Sequence, residues 1–215
     1  MATNAGDNAS AVPAKCIACD RELNQAVVCD YCHALNPVSA PTDYFTLLGV
    51  PRRYDLDMAE LRRRFLALNR HAHPDFHAGD SPEVAELALN VSSAVNDAWR
   101  TLSDPVGRAE YLLGLLGGPA SAEDRSTPEG FLPEVAELQE RIHDARADGD
   151  AATLGRLAGE LDGRYRAMLE TLGELYGRFD TTVGCEAVRQ DELKRLRRHL
   201  NAISYIRKLI SAAKG

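Results

Sequence analysis

The sequence predicts an all-α protein: a helical hairpin followed by a three-helix bundle, with a small four-cysteine knuckle in front. Three observations predict it. Apolar residues recur at three- and four-residue steps through most of the chain after residue 57. Convincing alternating strand patterns are absent, apart from a possible short hairpin between two cysteine pairs. Cys16, Cys19, Cys29 and Cys32 form those pairs, in the spacing C-x2-C-x9-C-x2-C.

The helices are delimited by regular start and stop signals. Asp57-x-x-Glu60 has the form of a capping box. Ser81-Pro82-Glu83, Asp104-Pro105 and Thr127-Pro128-Glu129 each place a capping residue before a proline at the first helical position. Gly49, Gly117-Gly118-Pro119 and Gly149 read as stops, the last followed by a new cap at Asp150. Between these signals run the apolar stripes. Met58, Leu61, Phe65, Leu68 and Ala72 form one, and Val84, Leu87, Val91, Val95, Ala98 and Leu102 another. Leu154, Leu157, Leu161, Tyr165, Met168, Leu172 and Leu175 follow, then Leu193, Leu196, Leu200, Ile203, Ile206 and Ile210. The expected organisation is a disordered tail over 1–14, a metal knuckle over 15–38 and a hairpin module over 42–117. A polar linker over 118–127 leads to the three-helix bundle over 128–215.

Composition excludes several classes. The 215 residues, 45% hydrophobic, suffice for one or two cores. A net charge of −7 argues against a general nucleic-acid binder. There is no apolar run long enough for a transmembrane helix. Met1 to Ala14 has neither the apolar centre of a secretory signal nor the arginines of a mitochondrial presequence, so a cytoplasmic protein is expected. The alternative is a mitochondrial-matrix protein that has lost its presequence. No Ser/His/Asp order, phosphate-binding glycine loop or pair of catalytic carboxylates points to an enzyme.

Two residues between cysteines let a tight turn aim both sulfurs at one point, and two such turns complete a tetrahedron. Zn2+ suits four thiolates, and a fully occupied shell is structural rather than catalytic. A segment this short buries little core, so the metal would supply much of its folding energy. Iron in a rubredoxin-like site and redox disulfides are the alternatives. Only Lys15 and Arg21 lie nearby to meet phosphates, which weakens a nucleic-acid reading of the knuckle. Cys185 stands alone and reads as a buried or half-buried thiol.

His73-Pro74-Asp75 falls between the helix that carries Arg62, Arg63, Arg64 and Arg70 and the helix that starts near Ser81. Asp43-Tyr44-Phe45-x-Leu47-Leu48-Gly49-Val50 precedes it, and Asn96-Asp97-Ala98-Trp99-x-x-Leu102-Ser103-Asp104-Pro105 follows. This stretch resembles a J domain, the module by which DnaJ-class co-chaperones act on DnaK-class ATPases. The resemblance implies that His73, Pro74 and Asp75 touch the chaperone and promote ATP hydrolysis, with Arg62 and Arg70 as steering cations. Proline stiffens the loop, a carboxylate can meet an arginine, and exposed cations raise the on-rate of a transient encounter. Phe65, Trp99, Tyr44 and Phe45 read as packing residues. His71 and His77 read as plain surface residues.

Arg108-Ala109-Glu110-Tyr111-Leu112-Leu113 and Phe131-Leu132-x-Glu134 extend the likeness. With them the chain resembles the HscB family of iron–sulfur co-chaperones, a J domain followed by a three-helix bundle, some members with a two-CxxC zinc segment in front. The resemblance implies two partners, an HscA-type DnaK-class chaperone and an IscU-class cluster scaffold. It places the scaffold surface on Leu132, Pro133, Ala136, Glu137, Glu140 and Asp144, with Tyr205 as an aromatic anchor. Pro133 and Ala136 stand where bulkier apolar residues are usual. The bland alternatives are an ordinary exposed face for Glu137 and Glu140 and a core position for Tyr205. The Lys194-Arg195-x-Arg197-Arg198 run reads as a basic surface of the last helix. The function expected is a non-enzymatic co-chaperone of cluster assembly, the alternative a general J-domain co-chaperone for unfolded clients.

Overall fold

The structure is a computed structural model that describes residues 15–38, 42–77, 79–181 and 186–215. The expected tail over 1–14 and Cys185 lie outside the described residues. Among the described residues the fold is all-α, with two isolated β-bridges, Lys15 to Glu22 and Val28 to Leu35. The chain divides at Gly107/Arg108 into two compact units.

The first unit holds the knuckle and the hairpin. The bridges flank the two cysteine turns, and Asn36 ties them together. Its buried amide accepts from the Ile17 N–H at 2.9 Å and donates to the Ala34 carbonyl at 3.0 Å. Helix α1, Tyr44–Leu47, is capped by Asp43, whose carboxylate also accepts from Arg52 at 2.6 Å. Helix α2, Met58–Ala72, starts where Asp57 accepts from the Ala59 and Glu60 amides. The box is only half formed, because the Glu60 carboxylate turns to Arg63 and Arg64 instead of the cap. The helix stops where Pro74 holds His73 in extended backbone, φ −67°, ψ 125°. A 3-10 turn, Pro74–His77, leads to α3, Pro82–Ser103, which runs back along α2.

The hairpin core is Phe45, Leu48, Leu61, Leu68, Val91, Val95, Ala98 and Leu102. Phe65 stacks on Trp99 at 4.8 Å, a half-buried pair closing one side. Two residues at the start of the expected stripes do not join the core: Met58 and Val84 are exposed. Each sits in the first turn of its helix, before the partner helix covers that face.

Helix α4, Pro105–Leu115, opens with Asp104 accepting from the Gly107 amide at 2.6 Å. The division between units falls inside it, before the Gly117-Gly118-Pro119 breakers. In the second unit the Tyr176 hydroxyl donates to the Ala109 carbonyl at 2.6 Å. The segment after the breakers is fastened down, since Asn201 donates to the Asp124 and Ser126 carbonyls at 2.9 and 2.8 Å.

Three helices follow, α5 Phe131–Ala147, α6 Ala151–Thr181 and α7 Glu186–Lys214. They close around Phe131, Val135, Ile142, Leu157, Leu161, Ala202, Ile206 and Leu209. The expected start of α5 at Pro128 is corrected. The Pro128 carbonyl instead accepts from the Phe131 amide in a tight turn, and Gly130 takes φ +74°, which an L side chain resists. That turn delivers Phe131 to the core. Gly149 at φ +67° ends α5, and Asp150 caps α6 through the Thr153 amide at 2.9 Å.

Candidate functional site

The tip of the hairpin is built by the stop at His73. The His73 side chain is half exposed, and its Nδ1 faces the Asp75 amide at 3.3 Å. The Asp75 carboxylate is 87% exposed. Phe76, 70% exposed, meets the His73 ring edge-on at 6.1 Å.

His77 is not a plain surface residue. Its side chain is 18% exposed, Nδ1 lies 2.8 Å from Asp80 and Nε2 lies 2.9 Å from the His71 carbonyl. Both partners accept only, and a neutral imidazole carries a single N–H. The carbonyl of His71, then Asp80, therefore favour the imidazolium and raise its pKa above the ordinary histidine value. The ring straps the last turn of α2 to the far end of the loop. His71 stays exposed and stacks on His33 of the knuckle at 6.1 Å.

The arginines of α2 divide into two pairs. Arg63 and Arg64 are bound to Glu60, whose carboxyl they hold below its usual range. Arg62 and Arg70 are exposed and have no ion-pair partner among the described residues. Leu66, 51% exposed, lies between them at four-residue steps, so Arg62, Leu66 and Arg70 form one outward stripe. Leu66 was not singled out from sequence. The signal was there, since it falls off the buried stripe of Leu61, Leu68 and Ala72.

The four cysteines converge, with all sulfurs within 4.8 Å of one another. Cys16 and Cys32 are 3.6 Å apart, Cys19 and Cys29 3.7 Å. A disulfide would need about 2.05 Å. Metal–sulfur bonds of about 2.3 Å in a tetrahedron put neighbouring sulfurs about 3.8 Å apart, close to the separations of the Cys16–Cys32 and Cys19–Cys29 pairs. Burial pushes the Cys16 thiol up, but the Ala18 and Cys19 amides and the thiols of Cys32 and Cys19 outweigh it and bring it to about 6. The Ala34 amide favours the Cys32 thiolate, yet desolvation and the three other cysteines push Cys32 up to about 12. One thiolate is easy here and a fourth is not, as expected where a cation is needed to complete the set. These four residues can hold a metal ion.

On α5, Leu132, Pro133, Ala136, Glu137, Glu140 and Asp144 are all exposed, while Phe131, Val135, Ile142 and Ala145 are buried. Glu137, Glu140 and Asp144 have no ion-pair partner among the described residues. Glu134 differs, because Arg164 holds it with two bonds of 2.6 and 2.7 Å and lowers its pKa. Tyr205 is half buried, packed against the bundle core and edge-on to Phe131 at 6.1 Å.

The chain is 36% identical over 154 residues to the co-chaperone protein HscB homolog of Ralstonia nicotianae, covering 71% of this chain and 88% of that one. It belongs to the HscB co-chaperone family. HscB of Proteus mirabilis is 38% identical over 136 residues, covering 60% of this chain and 79% of the relative. The family described as the HSCB C-terminal oligomerisation domain matches residues 127–214, the three helices of the bundle. Among solved structures, human co-chaperone HscB superposes with a TM-score of 0.73 at 25% identity, over 93% of this chain and 96% of that one. HscB from Vibrio cholerae gives a TM-score of 0.64 at 29% identity, over 80% and 96%. The HscB assignment, the all-α fold and the N-terminal cysteine cluster thus agree with the reading of the sequence. No helix among the described residues is long and apolar enough to cross a membrane.

Proposed function

We propose that this HscB-family chain stimulates the ATPase of a DnaK/HscA-class chaperone and delivers to it an IscU-class scaffold in iron–sulfur cluster assembly, in the cytoplasm and without chemistry of its own. The observation that carries the reading is the hairpin tip. Asp75 projects into solvent from a loop that His77 straps at both ends, and the helix leading into that loop carries Arg62 and Arg70, exposed and with no ion-pair partner among the described residues. Such a tip offers a preorganised carboxylate and imidazole to a basic or polar groove, and Arg62 and Arg70 steer the encounter.

The bundle would carry the scaffold. Leu132 supplies an exposed apolar contact, Pro133 and Ala136 allow close approach, and Glu137, Glu140 and Asp144 form an acidic edge for a basic partner surface. Tyr205, bedded against Phe131, adds an aromatic at the margin. Zn2+ is the metal proposed for Cys16, Cys19, Cys29 and Cys32. A shell of four thiolates has no open position, so the ion would supply folding energy to the knuckle.

Steady-state ATP turnover of the cognate chaperone, with and without scaffold, tests the proposal. The wild-type chain is expected to raise turnover, more so with scaffold present. His73→Gln is expected to abolish the stimulation while helix content is unchanged. Full stimulation by the folded variant would sink the reading.

A further inference from the structure

Phe76 is the most exposed large apolar residue among those described, and the contacts assigned to the hairpin tip above do not include it. It sits in the 3-10 turn Pro74–His77, where three residues make one turn and successive side chains leave the axis about 120° apart. Its amide donates to the His73 carbonyl at 3.0 Å, which fixes its backbone. The His77 ring is committed to the His71 carbonyl and to Asp80. With that direction occupied, Asp75 and Phe76 take the others, and both side chains reach solvent.

A lone apolar residue on a surface is ordinary and asks for no partner. Phe76 differs in being held out. The backbone bond and the two bonds of His77 close its turn, so the ring does not fold back onto the hairpin core, which is complete without it. Its one ring neighbour is His73, met edge-on at 6.1 Å. The exposed Asp75 carboxylate is the preceding residue. One rigid turn thus presents an apolar ring, an imidazole and a carboxylate together. A ring already fixed loses little freedom when it is buried by a partner, and aromatic side chains are the commonest anchors of such contacts.

We infer that Phe76 is the apolar anchor of the tip, its ring entering a pocket of the DnaK-class chaperone beside the cationic group that receives Asp75. The inference rests on the co-chaperone reading above and adds to it a binding residue and a division of labour. Asp75 and His73 supply the polar contacts that promote ATP hydrolysis. Phe76 sets how long the complex lasts, because burial of an apolar ring acts on dissociation and is little affected by salt.

The test titrates the full chain into the cognate chaperone and reads two quantities, the concentration for half-maximal ATPase stimulation and the maximal turnover. Phe76→Ala is expected to raise the first about tenfold or more and to leave the second unchanged. Phe76→Leu, which keeps an apolar group, should fall between the two. Leu89→Ala removes a comparably exposed residue of α3 and should match the wild type. All three alter exposed side chains, and circular dichroism with the amide shifts of His77 and Asp80 checks the fold and the strap. A silent wild-type chain would sink the co-chaperone reading and this inference with it. Wild-type stimulation that Phe76→Ala reproduces would sink the inference alone. A fall in maximal turnover at an unchanged half-maximal concentration would overturn it too, since Phe76 would then act only by positioning His73. So would Phe76→Leu no better than Phe76→Ala, or self-association of the chain that Phe76→Ala removes, which would give the ring to a second copy.

Discussion

The buried guanidinium of Arg197 on α7 forks onto the carboxylate of Glu110 on α4, one of its bonds 2.8 Å long, and its Nε donates to the Pro119 carbonyl at 2.9 Å. The Arg197 side chain is 2% exposed and that of Glu110 40%, so the two ends of the pair are unequal. Removing the acid strands a charge away from water, whereas removing the base leaves a carboxylate that solvent reaches. Glu110→Ala is expected to cost about 3 kcal/mol of stability. Arg197→Met, which keeps the packing volume and buries no charge, should cost clearly less. Urea denaturation of both variants checks the order, and equal losses would deny the asymmetry.

The strap made by His77 has a pH dependence with a definite sign. Its pKa is raised in the folded loop, first by the His71 carbonyl and then by Asp80. The stabilisation is therefore complete below the unfolded value, about 6.5, and is lost as pH rises through the folded value. Imidazole titration by NMR should give a midpoint above 6.5 for His77, and Asp80→Asn should lower it. Amide exchange of Asp75 and Phe76 should quicken over the same range in the wild type and show no such step in His77→Gln. A midpoint at or below the ordinary histidine value would contradict the two-acceptor geometry.

The cysteine cluster predicts one metal ion per chain, bound with release of protons. Chelation should unfold the knuckle while leaving the helical signal of the rest nearly intact, because no helix lies within 15–38. Cys19→Ser should lose the metal at lower chelator concentration than wild type. Metal analysis with far-ultraviolet dichroism reads both, and a chain that keeps its knuckle amide shifts after metal removal would count against a folding role for the ion.

Much of this was legible because the signals were local. Gly149 and Asp150 end one helix and cap the next through their own backbone preferences, and Pro74 stops α2 at the residue before it. The misreadings arose where a distant partner decided. Thr127-Pro128 looks like a helix start, yet packing of Phe131 favours a turn closed by Gly130. Glu60 looks like a returning cap, but two arginines one turn on compete better for it. His77 looked idle because only the folded loop brings the His71 carbonyl to it. Arg197 was read with its basic neighbours as surface, although it lies beside Leu196 and one turn from Leu193 and Leu200, on the buried side of α7. Its period was visible, and its charge obscured it.

The division of the α2 arginines leads to a prediction about the proposed chaperone encounter. Arg63 and Arg64 share the one Glu60 carboxylate, so half of their charge is offset, while Arg62 and Arg70 act as whole charges. Steering by exposed charges works through the association rate and fades as salt shortens the Debye length to roughly 10 Å at 0.1 M. Arg62→Ala with Arg70→Ala is expected to slow association with the chaperone roughly tenfold at low salt and much less at high salt. Glu60→Ala with Arg63→Ala and Arg64→Ala, which removes one net positive charge rather than two, should cost less. Leu66→Ala tests the stripe differently: an apolar contact at its centre would raise the dissociation rate with little dependence on salt. Stopped-flow association at two salt concentrations separates the three. If the double and the triple variant slowed association equally, Glu60 would not offset the charge beside it and the pairing would have no functional consequence.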